Sequence, residues 1–117
     1  MISIIEDDLS VREAIEVLLK SAGLIYQSFD SAEQFLSGFS ACQEDSIILD
    51  LNLPGMGGCD LVKKLNQDGN KIQIIVTTAF DDPVSRELCK QYGVKAFLRK
   101  PVDGEALIDL IKYTIQA

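Results

Sequence analysis

Carboxylates, a hydroxyl and an ammonium recur in this chain at one kind of position, directly behind a short apolar run. Glu6 and Asp7 follow Ile2-Ser3-Ile4-Ile5, Asp50 follows Ile47-Ile48-Leu49, Thr78 follows Ile74-Ile75-Val76-Thr77, and Lys100 follows Ala96-Phe97-Leu98-Arg99. In an open parallel sheet such strand ends share one edge, where ligands of these folds bind. The five side chains would then converge. Crowded carboxylates raise one another's pKa unless positive charge lies between them. A divalent cation meets that need. A small set of oxygen donors without histidine favours Mg2+, which keeps waters and takes phosphate oxygens as further ligands. Phosphoryl chemistry is the leading reading.

The elements that must position these groups follow from periodicity. Ile2 to Ile5 reads as a buried strand, and Ser10-Val11-Arg12-Glu13 has the form of a capping box that opens a helix. Val11, Ala14, Ile15, Leu18, Leu19 and Ala22 form its apolar face, and Gly23 ends it. Leu24 to Phe29 reads as the second strand, and Ser31-Ala32-Glu33-Gln34 as a second capping box before Phe35, Leu36 and Phe39. Ser46 to Leu49 is the third strand, followed by a Pro- and Gly-rich loop, Asn52 to Gly58, and a helix from Cys59 to Gln67. Lys71 to Thr77 is the fourth strand. Asp82-Pro83 then reads as an N-cap with Pro at the first helical position, and that helix runs to Tyr92. Val94 to Arg99 is the fifth strand, and a last helix opens at Asp103-Gly104-Glu105 with Leu107, Leu110, Ile111 and Thr114 on one face. Five strand-helix alternations with short apolar strands predict an α/β fold, a doubly wound parallel sheet of five strands with right-handed crossovers and helices on both faces.

Composition narrows the function. The 117 residues are expected to form one domain. Eleven Lys and Arg stand against 18 Asp and Glu, a net charge of −7 and the wrong sign for direct nucleic-acid binding. The three cysteines, Cys42, Cys59 and Cys89, show no C-x-x-C spacing, so reduced thiols are expected rather than a zinc site or disulfide framework. The apolar runs are too short to span a membrane, and a cytoplasmic protein is expected. The chain has no histidine, so any phosphohistidine must belong to a partner.

Together these residues resemble the receiver domain of two-component response regulators. That family shows an acidic pair after the first strand, an aspartate after the third, Thr or Ser after the fourth and Lys-Pro after the fifth. They stand here as Glu6-Asp7, Asp50, Thr78-Ala79 and Lys100-Pro101, with Leu53-Pro54-Gly55-Met56-Gly57-Gly58 like the loop behind the phosphoacceptor. The match spans the whole chain. Ile4 to Ala14 and Phe29 to Leu36 look most like the FixJ-type branch, which commonly joins its receiver to a helix-turn-helix DNA-binding domain. No output domain is recognised in residues 1–117, so the expectation is a receiver standing alone or cut from a longer chain.

The resemblance implies a flavodoxin-like (βα)5 sheet of strand order 2-1-3-4-5 and a role for each residue. Asp50 would take a phosphoryl group from a phosphohistidine on a sensor histidine kinase. Asp7 and Asp50 would bind Mg2+ directly, Glu6 mostly through water, and Asn52 through its backbone carbonyl. Lys100, behind a cis peptide bond to Pro101, and Thr78 would contact phosphoryl oxygens. Thr78 would draw its loop inward, and Phe97, which reads as core and as switch, would follow into the vacated space. The shape change would reach the face of helix four, strand five and helix five, to control an output such as transcription. The same resemblance implies a homodimer through that face on phosphorylation. Val11, Ala14 and Ile15 read either as a kinase-docking patch or as core, and Ile108 and Ile115 either as a contact patch or as scattered surface residues.

Two rivals remain. A pseudo-receiver would use this fold for protein contacts alone, and usually lacks one of the five groups present here. A haloacid-dehalogenase-like phosphatase carries an Asp two positions past its nucleophile, where this chain has Asn52, so catalysis is expected only on the chain's own phosphoryl group. Two departures from the receiver pattern stand out. Gly57 replaces a frequent Asp and should loosen its loop. Phe80, two positions beyond Thr78, lies where the family tunes water access, and an apolar ring there would shield phosphorus. The acyl phosphate should therefore hydrolyse more slowly in the natural chain than in a Phe80→Glu variant; equal decay rates of the phosphorylated masses would remove that role.

Overall fold

Alternate residues of a strand face opposite ways, and this fold buries both sets. The computed structural model describes residues 1–38, 46–53, 55–69, 72–79, 82–94 and 96–116, with side chains described through Tyr113. Phe39, Cys42, Pro54, Lys71, Phe80 and Ala117, and the side chains of Thr114 and Ile115, lie outside the described residues. In chain order the elements are β1 (Ile2–Ile5), α1 (Leu9–Ser21), β2 (Tyr26–Phe29), α2 (Ala32–Gly38), β3 (Ser46–Asp50), α3 (Gly58–Gln67), β4 (Gln73–Thr78), α4 (Pro83–Gln91), β5 (Ala96–Arg99) and α5 (Gly104–Gln116). The strands pair in parallel in the order β2-β1-β3-β4-β5, as expected. Among the described residues no helix is long and apolar enough to cross a membrane.

Ile2, Ile4, Ile48 and Ile75 point to one side and pack with Ile15 and Leu19 of α1 and Leu107 and Ile111 of α5. Ile5, Ile47, Leu49, Ile74 and Val76 point to the other, against Phe35 of α2, Leu61, Val62 and Leu65 of α3 and Cys89 of α4. The central strands β1 and β3 are buried throughout, whereas the edge strands β2 and β5 are only partly covered. That burial explains why β1 and β3 read as continuous apolar runs.

Several boundaries differ from the sequence reading. The N-cap of α1 is Asp8, whose Oδ1 accepts from Val11 N at 3.1 Å, so Ser10 lies inside the first turn. The earlier start is favoured because Glu6 Oε2 accepts from Asp8 N at 3.3 Å, tying the cap to the strand end. Strands β2 and β5 begin two residues later than expected. Leu24 N donates back to Leu19 O at 3.0 Å and Val94 N to Cys89 O at 3.1 Å, so each closes the preceding helix across a glycine of positive φ, Gly23 (75°) or Gly93 (95°). The second capping box forms, with Ser31 Oγ accepting from Gln34 N, although Gln34 Oε1 accepts from Asp30 N rather than from Ser31. Asp82 caps α4 with Pro83 in its first turn, as predicted. Ala14 is exposed and Ile15 is core, while Ile108 packs partly against the α1-α5 cluster instead of standing clear of it.

The loop between β3 and α3 is closed by backbone contact. Gly58 N donates to Leu51 O at 3.2 Å, and a Cβ at Gly58 would lie 2.7 Å from Leu51 Cα and 2.8 Å from the Asp50 carbonyl oxygen. Backbone cannot swing away as a side-chain tip can. Gly58→Ala should therefore lower the free energy of unfolding by about 1–3 kcal/mol. Urea denaturation is the check, and an unchanged midpoint would show that the loop shifts without strain.

Candidate functional site

Four strand ends along one sheet edge deliver the charged groups. β1 ends at Ile5 and hands on Glu6 and Asp7, β3 ends on Asp50, β4 ends on Thr78, and β5 ends at Arg99 before Lys100. Parallel register brings these ends level: Ile5 lies beside Leu49, Asp50 beside Thr77, and Thr78 beside Arg99. Asp50 and Thr78 therefore lie within their strands rather than just past them. Lys100 N donates to Thr78 O at 2.8 Å, which extends the β4-β5 ladder one step into the site. The Lys100-Pro101 peptide bond is cis, as the resemblance implied.

One oxygen from each of Glu6, Asp7 and Asp50 lies within 4.8 Å of the others. Glu6 and Asp50 are only 1% and 4% exposed, whereas Asp7 faces solvent. Lys100 Nζ sits between the two buried carboxylates, 2.7 Å from Glu6 Oε1 and 3.4 Å from Asp50 Oδ2. Asp50 Oδ1 accepts from Asn52 N at 3.1 Å, so both oxygens of Asp50 meet a donor or a cation. Thr78 is linked to this group through the Asn52 side chain, whose Nδ2 donates to Thr78 Oγ1 at 3.4 Å.

Among the described residues one ammonium faces these three carboxylates and does not balance them. Burial, helped by the hydrogen bond and charge of Asp50 and opposed by Lys100, pushes the Glu6 carboxyl from 4.5 up to about 7. For Lys100 burial pulls the pKa down, but the Glu6 hydrogen bond and the charges of Asp50 and Glu6 outweigh it and the net shift is upward. A proton on Glu6 thus substitutes for missing positive charge. The donors are all oxygen and include a solvent-facing carboxylate, which suits a hard cation that keeps part of its hydration shell.

The structure adds contacts that the sequence reading lacks. Arg12, one turn into α1, donates from a guanidinium nitrogen to Glu6 O at 2.9 Å and anchors the acidic turn. Arg86 of α4 places its guanidinium 5.2 Å from the centre of the Phe97 ring, a cation-π distance. Thr78, Arg86 and Phe97, with Leu51 and Asp82, line a cleft of about 100 Å3. Arg12 and Arg86 had no sequence signal beyond lying on helices that begin beside the site.

Residues 2–112 match the family of response regulator receiver domains. The transcriptional regulatory protein FixJ of Azorhizobium caulinodans is 35% identical over 97% of this chain and 54% of its own length. The transcriptional regulatory protein TdiR of Thauera aromatica is 30% identical over 92% of the chain and 48% of its own. The chain thus spans about half the length of these two relatives. Among solved structures, the response regulator StyR superposes with a TM-score of 0.91 at 35% identity, covering 98% of this chain and 58% of that one. A receiver protein from Pseudomonas putida gives 0.87 at 28% identity, covering 96% and 94%. The acidic turn, Asp50, Thr78 and Lys100 thus sit on a scaffold shared along nearly its whole length, and this chain belongs to the response regulator receiver domain family.

Proposed function

We propose that this receiver domain is a phosphorylation-controlled switch in which Asp50 accepts a phosphoryl group from a phosphohistidine on a sensor histidine kinase. The observation that carries this reading is the placement of Lys100 Nζ 3.4 Å from Asp50 Oδ2 inside a cluster of three carboxylates. An Asp50 oxygen attacks phosphorus while the phosphorus-nitrogen bond to the partner's imidazole breaks, leaving an acyl phosphate on Asp50. Asn52 N–H and Lys100 hold the carboxylate in a fixed rotation, so little orientational freedom is lost on reaction. Asp7 and Asp50 would hold Mg2+ directly, Glu6 mostly through water and Asn52 through its backbone carbonyl. When bound, Mg2+ supplies positive charge that screens the nucleophile from the incoming phosphoryl oxygens. Lys100 neutralises a further phosphoryl oxygen. No second substrate is turned over; the chain acts on its own phosphoryl group.

Thr78 accepts from Asn52 in the present state and becomes a donor to a phosphoryl oxygen in the phosphorylated one. Its backbone moves with it, and the cleft of about 100 Å3 beside it gives the Phe97 ring room to follow. The change then reaches α4, β5 and α5, where Val84 and Leu88 are exposed apolar side chains suited to contact an output domain or a second phosphorylated copy.

Intact mass after incubation with a small-molecule acyl phosphate and Mg2+ is the direct test. The natural chain should gain one phosphoryl group, and Asp50→Asn or a chelator should abolish the gain. A folded natural chain that gains nothing at any donor concentration would overturn the reading in favour of a pseudo-receiver.

The charge imbalance gives a second, independent expectation. With a chelator present, the unfolded chain releases the Glu6 proton near 4.5 while the folded chain holds it until about 7. Stability should therefore fall as pH rises through that window, by up to about 3 kcal/mol, and then level off. The chain has no histidine, so few other side chains titrate in the upper half of the window. Added Mg2+ should raise the melting temperature more at pH 8 than at pH 5, and Glu6→Gln should flatten the chelated curve. Denaturant melts across pH are the check, and a flat chelated curve for the natural chain would contradict it.

A further inference from the structure

Two thiols from different helices touch. Cys59 Sγ, in the first turn of α3, lies 3.5 Å from Cys89 Sγ, in the last turn of α4, and both cysteines are free. Cys59 Sγ also lies 3.9 Å from Ser85 O, one turn earlier on α4, so its side chain is seated against that helix. The sulfurs need to approach by about 1.5 Å to reach the 2.05 Å of a disulfide. Their surroundings differ. Cys59 is partly exposed, whereas Cys89 is fully buried and its thiol is pushed up to about 12 by burial and by the neighbouring Cys59 sulfur. Of the two residues only Cys59 has any exposed surface, and Cys89 lies behind it in the core.

We propose that Cys59 and Cys89 are a redox-sensitive pair that closes to an intramolecular disulfide with a hydroperoxide, fastening α4 to α3. The Cys59 thiolate attacks a peroxide oxygen and breaks the O–O bond, giving a sulfenic acid and, with hydrogen peroxide as oxidant, a hydroxide that takes up the proton Cys59 released and becomes water. Cys89 sulfur then attacks Cys59 sulfur, and the departing hydroxide takes the Cys89 proton and leaves as a second water. Two thiols lose two hydrogens and two electrons, and one peroxide becomes two waters. A thiol held protonated by burial is a poor first attacker, which fixes the order of the two steps. Resting on the switch reading above, the consequence is that oxidation pins the helix that phosphorylation must move, so an oxidised chain keeps its acceptor chemistry while losing its output.

The test has two arms. In a Cys42→Ser chain treated with hydrogen peroxide, then unfolded and alkylated, the two labels of the untreated protein should fall to none, with dithiothreitol restoring both and the protein remaining monomeric. Digestion of the natural chain should yield the Cys59-Cys89 cross-linked peptide, which keeps the question answerable if Cys42→Ser fails to fold. Retained labels, sulfinic acid in place of a cross-link, or dimers joined through cysteine would overturn the bond. In the second arm, hydrogen exchange of α4 is compared with and without a beryllium fluoride phosphoryl analogue. A change in the reduced protein that is suppressed in the oxidised one supports the pinning, and an equal change in both removes it. No change even when reduced would remove the regulatory role and the switch reading beneath it, while the disulfide stands or falls on the first arm.

Discussion

The structure is organised around an excess of negative charge held in a nearly dry place. Glu6 and Asp50 are buried at the end of a sheet where, among the described residues, they meet one counter-ion, Lys100. Burial of like charges is among the costlier arrangements a protein makes, and it persists only when the surrounding structure enforces it. Here the two central strands, buried on both faces, supply that enforcement. Charge that the fold cannot neutralise is what makes the site responsive, because a cation or proton arriving there changes the energy of the whole edge.

Enforcement comes from contacts that hold the main chain in place. The loop after Asp50 is pressed against its own strand at Gly58, the acidic turn is tied by Asp8 N–H and by Arg12, and the β4 and β5 ends are joined through Lys100 N and Thr78 O. Each contact fixes a main-chain position, although the one at Asp8 engages the Glu6 carboxylate to do so. Asn52 acts through both main chain and side chain, with its N–H orienting Asp50 while its side chain engages Thr78.

Much of this was legible in the sequence. Layering follows from five alternations and from apolar runs that lack polar interruption, the edge residues from their place behind those runs, and strand order from the family resemblance. Where two candidates competed locally, sequence did not decide. Asp8 and Ser10 are both good caps, and a side-chain bond from Glu6 selects Asp8. Leu24 and Val94 have strand-like side chains, yet their N–H groups close helices. Arg12 on the Glu6 carbonyl, Arg86 on Phe97 and the two thiols in contact were out of reach for a different reason. They depend on helix rotation and on distances set by packing, neither of which is written in spacing along the chain.

The order in which the site is assembled carries one more consequence. Its groups come from β1, β3, β4 and the end of β5, so residues 6 to 100 must all be in place before Lys100 meets Glu6 and Asp50. A nascent or clipped chain that stops short of β5 still carries its carboxylates, but without Lys100 among them. The full charge cluster is thereby completed only when the last strand has joined the sheet, because its one ammonium among the described residues comes so late in the chain.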